Sequence, residues 1–196
     1  MDGVISVTIG ENAIIPFHRP GSKEKLFFLS SGIIVSIPLT LFVSAFSNHF
    51  CFLLPVLYGE MCATAIFAPF IEEFAKVYPL FYRHGETERS IFTLGFLVGL
   101  GFGITEFLIY VIGAGAPIYI RLPGIFFHAA STSITSYGVA IKRAVPFYLV
   151  AVLFHLLYNF FTFLGPLWLI GGPVALIIVY YLSWYLYGKT RERLVI

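Results

Sequence analysis

Apolar residues run in six long stretches along this 196-residue chain, separated by short turns rich in polar residues, glycine and proline. The stretches cover residues 26–46, 52–82, 91–112, 118–141, 144–164 and 167–187. About 20 apolar residues in a helix cross the hydrocarbon core of a bilayer, so each is long enough to span. The second is long for one straight helix. Pro55 and Pro69 interrupt it, which puts its start near Leu57. Residues 1–25 form a short cytoplasmic or interfacial segment. Within it, residues 4–9 alternate weakly, as a strand or an interfacial segment would. That segment lacks the basic start, apolar run and small-residue cleavage site of a signal peptide. The pattern predicts an all-α fold: a polytopic membrane helical bundle of about six transmembrane helices, forming one domain over residues 1–196.

Composition sharpens this picture. Hydrophobic residues make up 59% of the chain and charged residues 11%, where soluble domains carry about 25% charge. The mean hydropathy is +0.91. With the N-terminus inside, the inner segments receive Arg19, Lys23, Lys25, Arg83, Arg89, Lys142, Arg143, Lys189, Arg191 and Arg193. The outside receives only Arg121, and Lys76 is intramembrane, so both termini are expected in the cytoplasm of a multi-pass cell-membrane protein. The formal net charge of +2 therefore reports orientation in a lipid bilayer, not binding to nucleic acid. Trp168 falls at the outer end of the last stretch, and Trp184, Tyr185 and Tyr187 at its inner end, as an aromatic belt would. Cys51 and Cys62 form no CxxC and read as two isolated thiols. No motif sets an oligomeric state.

Against this background the buried charges stand out. Glu72, Glu73 and Lys76 lie in the second stretch, Glu106 in the third, His128 in the fourth and His155 in the fifth. Counted from the cytoplasmic ends at 1.5 Å per residue, Glu72, Glu106, His128 and His155 lie ~16, ~22, ~21 and ~18 Å deep, all near the midplane. Three carboxylates and a lysine at that depth cost on the order of 10 kcal/mol unless they face each other or line a wet cavity. Glu72 and Lys76 share a helical face, as do His128 with Thr132 and His155 with Asn159. Each histidine thus has a hydrogen-bonding partner one turn on. Pro69 leaves the carbonyl of Ala65 without its helical donor. The third stretch reads Gly95-x-x-x-Gly99-x-x-x-Gly103, and Glu106 follows on the same face. Small residues at that spacing let helices approach closely, so Glu106 is expected to point into the bundle. Glu60 belongs to the outer interface, and His18, His49 and His84 to solvated ends.

These groups suit hydrolysis. Glu72 or Glu73 can take a proton from water, and His128, His155 and Asn159 can donate to a developing oxyanion. Alternatively, two histidines and a carboxylate are a three-ligand zinc set. His128, His155 and Glu106 would supply it, with Glu72 or Glu73 as base. HExxH is absent. Ser131, Ser133 and Ser136 read as small packing residues. Two rivals remain: a proton- or cation-coupled transporter using Glu72, Glu73 and Glu106, and a haem protein with His128 and His155 as axial ligands.

Glu72-Glu73-Phe74-Ala75-Lys76 resembles the EExxK signature of the PrsW-type membrane proteases. Phe102-Gly-Ile-Thr-Glu106 resembles their FxxxE element, and His128 and His155 match their later histidines in membrane helices. His155-x-x-x-Asn159 also resembles the HxxxN element of the related CAAX-processing proteases. Two positions depart: Phe107 stands where PrsW-type proteins commonly have Asn, and Val77 where the CAAX pattern has arginine. The resemblance implies an intramembrane endopeptidase cutting a membrane-anchored protein or peptide. Glu72, Glu73, Glu106, His128, His155 and Asn159 are then the catalytic candidates.

Overall fold

The computed structural model describes residues 5–9, 13–17, 19–82 and 86–195. Val4, His18, Arg83 and His84 lie outside them. Strands β1 (Ile5–Ile9) and β2 (Ala13–Phe17) form an antiparallel hairpin with Val7 opposite Ile15. Of the two readings of residues 4–9, a strand or an interfacial segment, residues 5–9 take the strand, and this hairpin is the exception in an otherwise helical chain.

The rest is helical. Helix α1 runs over Ser22–Cys51 with a π turn at Gly32–Ser36. Helix α2 covers residues 56–82. It starts at Val56 after Pro55, widens into a π segment at Met61–Phe67, resumes as Ala68–Val77 and tightens to 3-10 at Tyr78–Tyr82. Helix α3 is Glu88–Gly113, α4 is Ile118–Ala140, α5 is Ala144–Phe161 and α6 is Trp168–Lys189. A short 3-10 turn, Thr162–Leu167, joins the last two, and Gly165 reverses the chain there at φ 59°, a conformation open to glycine. Three runs, Ser22–Cys51, Glu88–Gly113 and Ala144–Lys189, are long and apolar enough to cross a membrane. The charges of α2 and the Ser/Thr content of α4 dilute those two helices. Phe42, Ile112, Leu153 and Ile177 lie exposed on outer faces, where a soluble protein would place polar groups.

Helix α4 is the axis of the bundle. Phe127 to Ser136 are all buried, though half of them are hydroxyl residues. Four of these five hydroxyls bond back to their own helix, among them Thr132 to the His128 carbonyl at 2.8 Å, Ser133 to Ala130 at 2.7 Å and Ser136 to Thr132 at 2.7 Å. The expected glycine seam packs α3 against it. A Cβ at Gly99 would stand 2.3 Å from the His128 carbonyl oxygen, so only glycine permits this approach. Glu106 points inward as its place on that face predicts.

Two ties close the ends. Cys51 and Cys62 are joined by a disulfide, which corrects the reading of two isolated thiols. Eleven residues apart in sequence, they meet because Pro55 folds the chain back between α1 and α2. At the opposite end the C-terminal tail crosses the start of α3. Buried Glu88 accepts from Arg193 Nη2 at 2.6 Å, and Thr87 pairs with Leu194 as an isolated bridge.

Candidate active site

Helices α2, α3, α4 and α5 bring Glu72, Glu73, Lys76, Glu106, His128 and His155 together, as matched depth predicts. The two adjacent glutamates have separate surroundings, because neighbouring helical positions point about 100° apart. Glu73 is fully buried. Its Oε1 accepts from Lys76 Nζ at 2.7 Å, from Ser131 Oγ at 3.0 Å and from His155 Nδ1 at 2.9 Å. Glu72 instead lines a cavity, its Oε2 buried without a hydrogen-bond partner and 3.7 Å from His155 Nε2.

Lys76 is also fully buried. It is paired with Glu73 and not with Glu72, its neighbour one turn away. Nζ lies 2.9 Å from His128 Nδ1 and 3.4 Å from Ser131 Oγ. An ammonium only donates, so these contacts direct its three hydrogens, and His128 Nδ1 accepts one. The His128 ring hydrogen then sits on Nε2 and goes to Glu106 Oε2 at 2.6 Å. His155 has the opposite arrangement: Nδ1 donates to Glu73, which leaves the Nε2 lone pair facing Glu72. The two imidazoles stand edge to face with ring centroids 5.2 Å apart, and Phe102 and Phe127 wall them in at 5.1 and 5.4 Å.

Two sequence expectations are corrected here. Thr132 bonds the backbone of His128, not its ring. Asn159 does not bond His155; its Nδ2 donates to the carbonyl of Thr64 at 2.9 Å. The π segment explains this. The Ala68 N–H reaches back to Ala63, so the next donor in that register would be Pro69, which has none. The orphaned carbonyl is therefore Thr64, one residue earlier than an α-helical count gives, and Asn159 satisfies it from α5.

The cavity holds about 450 Å³. Glu72, Glu106 and His128 line one part of it, and Tyr110, Arg121, Tyr158, Asn159, Thr162 and Trp168 are among its other walls. Arg121, Tyr110, Tyr158 and Ser131 were not among the candidates read from the sequence. Helical spacing carried a signal for each: Arg121 is two turns before His128, Tyr110 one turn after Glu106, Tyr158 and Ser131 three residues after the two histidines.

A metal could be held by Glu72, His128 and His155, which each offer a ligand atom within 4.8 Å of the others. The donor chemistry fits a divalent cation with His128 in its other tautomer, the ring hydrogen moved from Nε2 to Nδ1, and the unpartnered Glu72 Oε2 is an orphan that such an ion would satisfy. The carboxylate of this trio is Glu72, whereas the sequence reading had chosen Glu106.

The sequence profile of the PrsW family intramembrane metalloproteases matches residues 24–186, which contain every residue of this site. No curated protein and no solved structure matches the chain. Most of its length and its whole polar centre lie within that match, and the chain belongs to the PrsW family of intramembrane metalloproteases.

Proposed function

We propose that this chain hydrolyses a peptide bond of a membrane-anchored protein in the cavity headed by Glu72, Glu106 and His128. Glu72, His128 and His155 would hold a divalent metal, zinc being the ion suited to two imidazoles and a carboxylate. When bound, it would supply Lewis acidity toward the scissile carbonyl. Glu106 takes a proton from the attacking water and returns it to the leaving amine. Glu73 and Lys76 position the histidines and do not reach the cavity. Asn159, with one N–H on Thr64, keeps a second N–H for the substrate carbonyl.

The observation that carries this reading is the position of Glu72. One carboxylate oxygen of each glutamate is buried without a hydrogen-bond partner, but only Glu72 lines the cavity and lies within ligand reach of both imidazoles. The two imidazoles stand edge to face with ring centroids 5.2 Å apart, which leaves no flat slot for a haem between them. Six spans with both termini in the cytoplasm fit the charge distribution, and the disulfide then falls on the outer, oxidising side of a cell membrane. The test is cleavage of reconstituted single-span substrates by wild type beside Glu72→Gln and Glu106→Gln. Retention of full cleavage by both variants would overturn the proposal. Ion flux in liposomes lost in the same variants would replace it with the transport reading.

A further inference from the structure

We infer that Arg121 is a specificity-determining residue that binds a carboxylate of the substrate, displaced from the scissile bond toward the Arg121 end of the cavity. The inference rests on the protease reading.

Arg121 lies in the first turns of α4 and lines the cavity. Among the described residues no carboxylate comes within ion-pair distance of it. Its guanidinium instead rests on the ring of Tyr110, 3.6 Å from the centroid. Stacking on an aromatic face fixes the plane of the guanidinium and leaves its edge donors free, an arrangement suited to bidentate capture of a carboxylate. Tyr110 is itself held one turn beyond Glu106, where the helix widens at Ile109–Gly113. The fork is therefore built before a ligand arrives. Among the described residues it is also the only Lys or Arg side chain lining this cavity. A guanidinium at a water-lipid boundary usually turns toward headgroups, but this one faces the same space as the glutamates.

The spacing sets where the ligand's acid should be. Arg121 and His128 are two turns apart on α4, about 10 Å. An extended peptide covers that in about three residues. The recognised class is thus a membrane-spanning peptide with Asp or Glu two to four residues from the scissile bond, about where its chain leaves the hydrocarbon. A role limited to offsetting the charge of Glu72 and Glu106 would affect every substrate alike, whereas recognition would separate acidic from neutral ones.

The experiment uses the full chain in nanodiscs with Glu72→Gln to stop turnover and Trp184→Phe, which leaves Trp168 of the cavity as the sole tryptophan. The probes are synthetic single-span peptides with a dansyl group, in which one Asp is moved along the flank that leaves the membrane. Matched peptides carry Asn or Lys. Energy transfer from Trp168 reports binding. At one or two positions Asp should bind about tenfold more tightly than Asn, and Lys more weakly still. Arg121→Gln should remove the preference, Arg121→Lys should keep part of it, and Arg121→Glu should favour Lys. Equal binding of Asp and Asn peptides at all positions, a preference that survives Arg121→Gln, or no binding of any peptide would each overturn the inference. The same peptides are then given to protein with Glu72 restored. An Asp preference in binding without any cleavage would keep the anion site and reject the protease reading.

Discussion

His155 Nδ1 sits 2.9 Å from Glu73 Oε1, so the more deeply buried of the two glutamates faces the back of an imidazole whose front faces its neighbour, Glu72. A carboxylate behind a histidine fixes the ring's orientation and tautomer. The two glutamates should accordingly fail in different ways.

Glu73→Gln leaves the buried ammonium of Lys76 without its ion-pair partner. Breaking a buried pair costs about 3–5 kcal/mol, so this variant should show a clearly lowered unfolding midpoint in detergent. Glu72→Gln should melt within about 1 kcal/mol of wild type and lose at least ~100-fold in turnover. Thermal melts beside cleavage rates separate the two, and similar stability of both variants would refute the division of roles.

Metal content gives a second check. Elemental analysis should find about one zinc per chain in protein purified without chelator, as a three-ligand site would hold. His128→Ala and His155→Ala should each lose it, and Glu73→Gln should weaken metal affinity by about 10–100-fold through its hold on His155. Full cleavage by metal-free wild type would exclude a metal from the reaction.

Helix approach at Gly99 can be tested without touching any polar group. A methyl there collides with the His128 carbonyl. Gly99→Ala should destabilise by about 1–3 kcal/mol and reduce cleavage by moving His128 from Glu106. Gly113→Ala, where nothing lies within 4 Å of the added Cβ, is the matched control. Equal behaviour of the two would remove the seam from the explanation.

The disulfide predicts thiol chemistry. Cys51 and Cys62 should resist maleimide in intact cells and both react after mild reduction, even with a reagent that cannot cross the membrane. Cys51→Ser with Cys62→Ser should cost about 2–4 kcal/mol. Labelling only from the cytoplasmic side would invert the proposed topology.

The legible and illegible parts of this protein divide on physical grounds. Matched depth and the Gly95, Gly99 and Gly103 face were enough to gather Glu72, Glu106, His128 and His155, because in lipid a charge has few places to go. The partners of individual atoms were not legible. Asn159 was assigned to His155 by α-helical spacing, but the π register of Met61–Phe67 moved the orphaned carbonyl to Thr64 and drew Asn159 across to it. The choice between Glu72 and Glu73 depended on the rotation of α2, which its apolar pattern leaves loose because both flanking faces are buried or polar. The Cys51–Cys62 pairing depended on the Pro55 turn, whose geometry no cysteine spacing reveals.

The buried contact of Glu73 with Lys76 also constrains how such a chain can change over generations. Replacing either residue alone strands the other's charge in a medium that cannot solvate it, so each single step is penalised before any second step can compensate. A neutral pair of similar size could fill the same space, but reaching it requires both changes at once. His128, His155 and Ser131 lean on the same two groups, which extends the lock across three helices. Variation should therefore accumulate at the cavity walls, where a substitution at Arg121 or Trp168 alters which peptide fits and leaves the locked centre untouched.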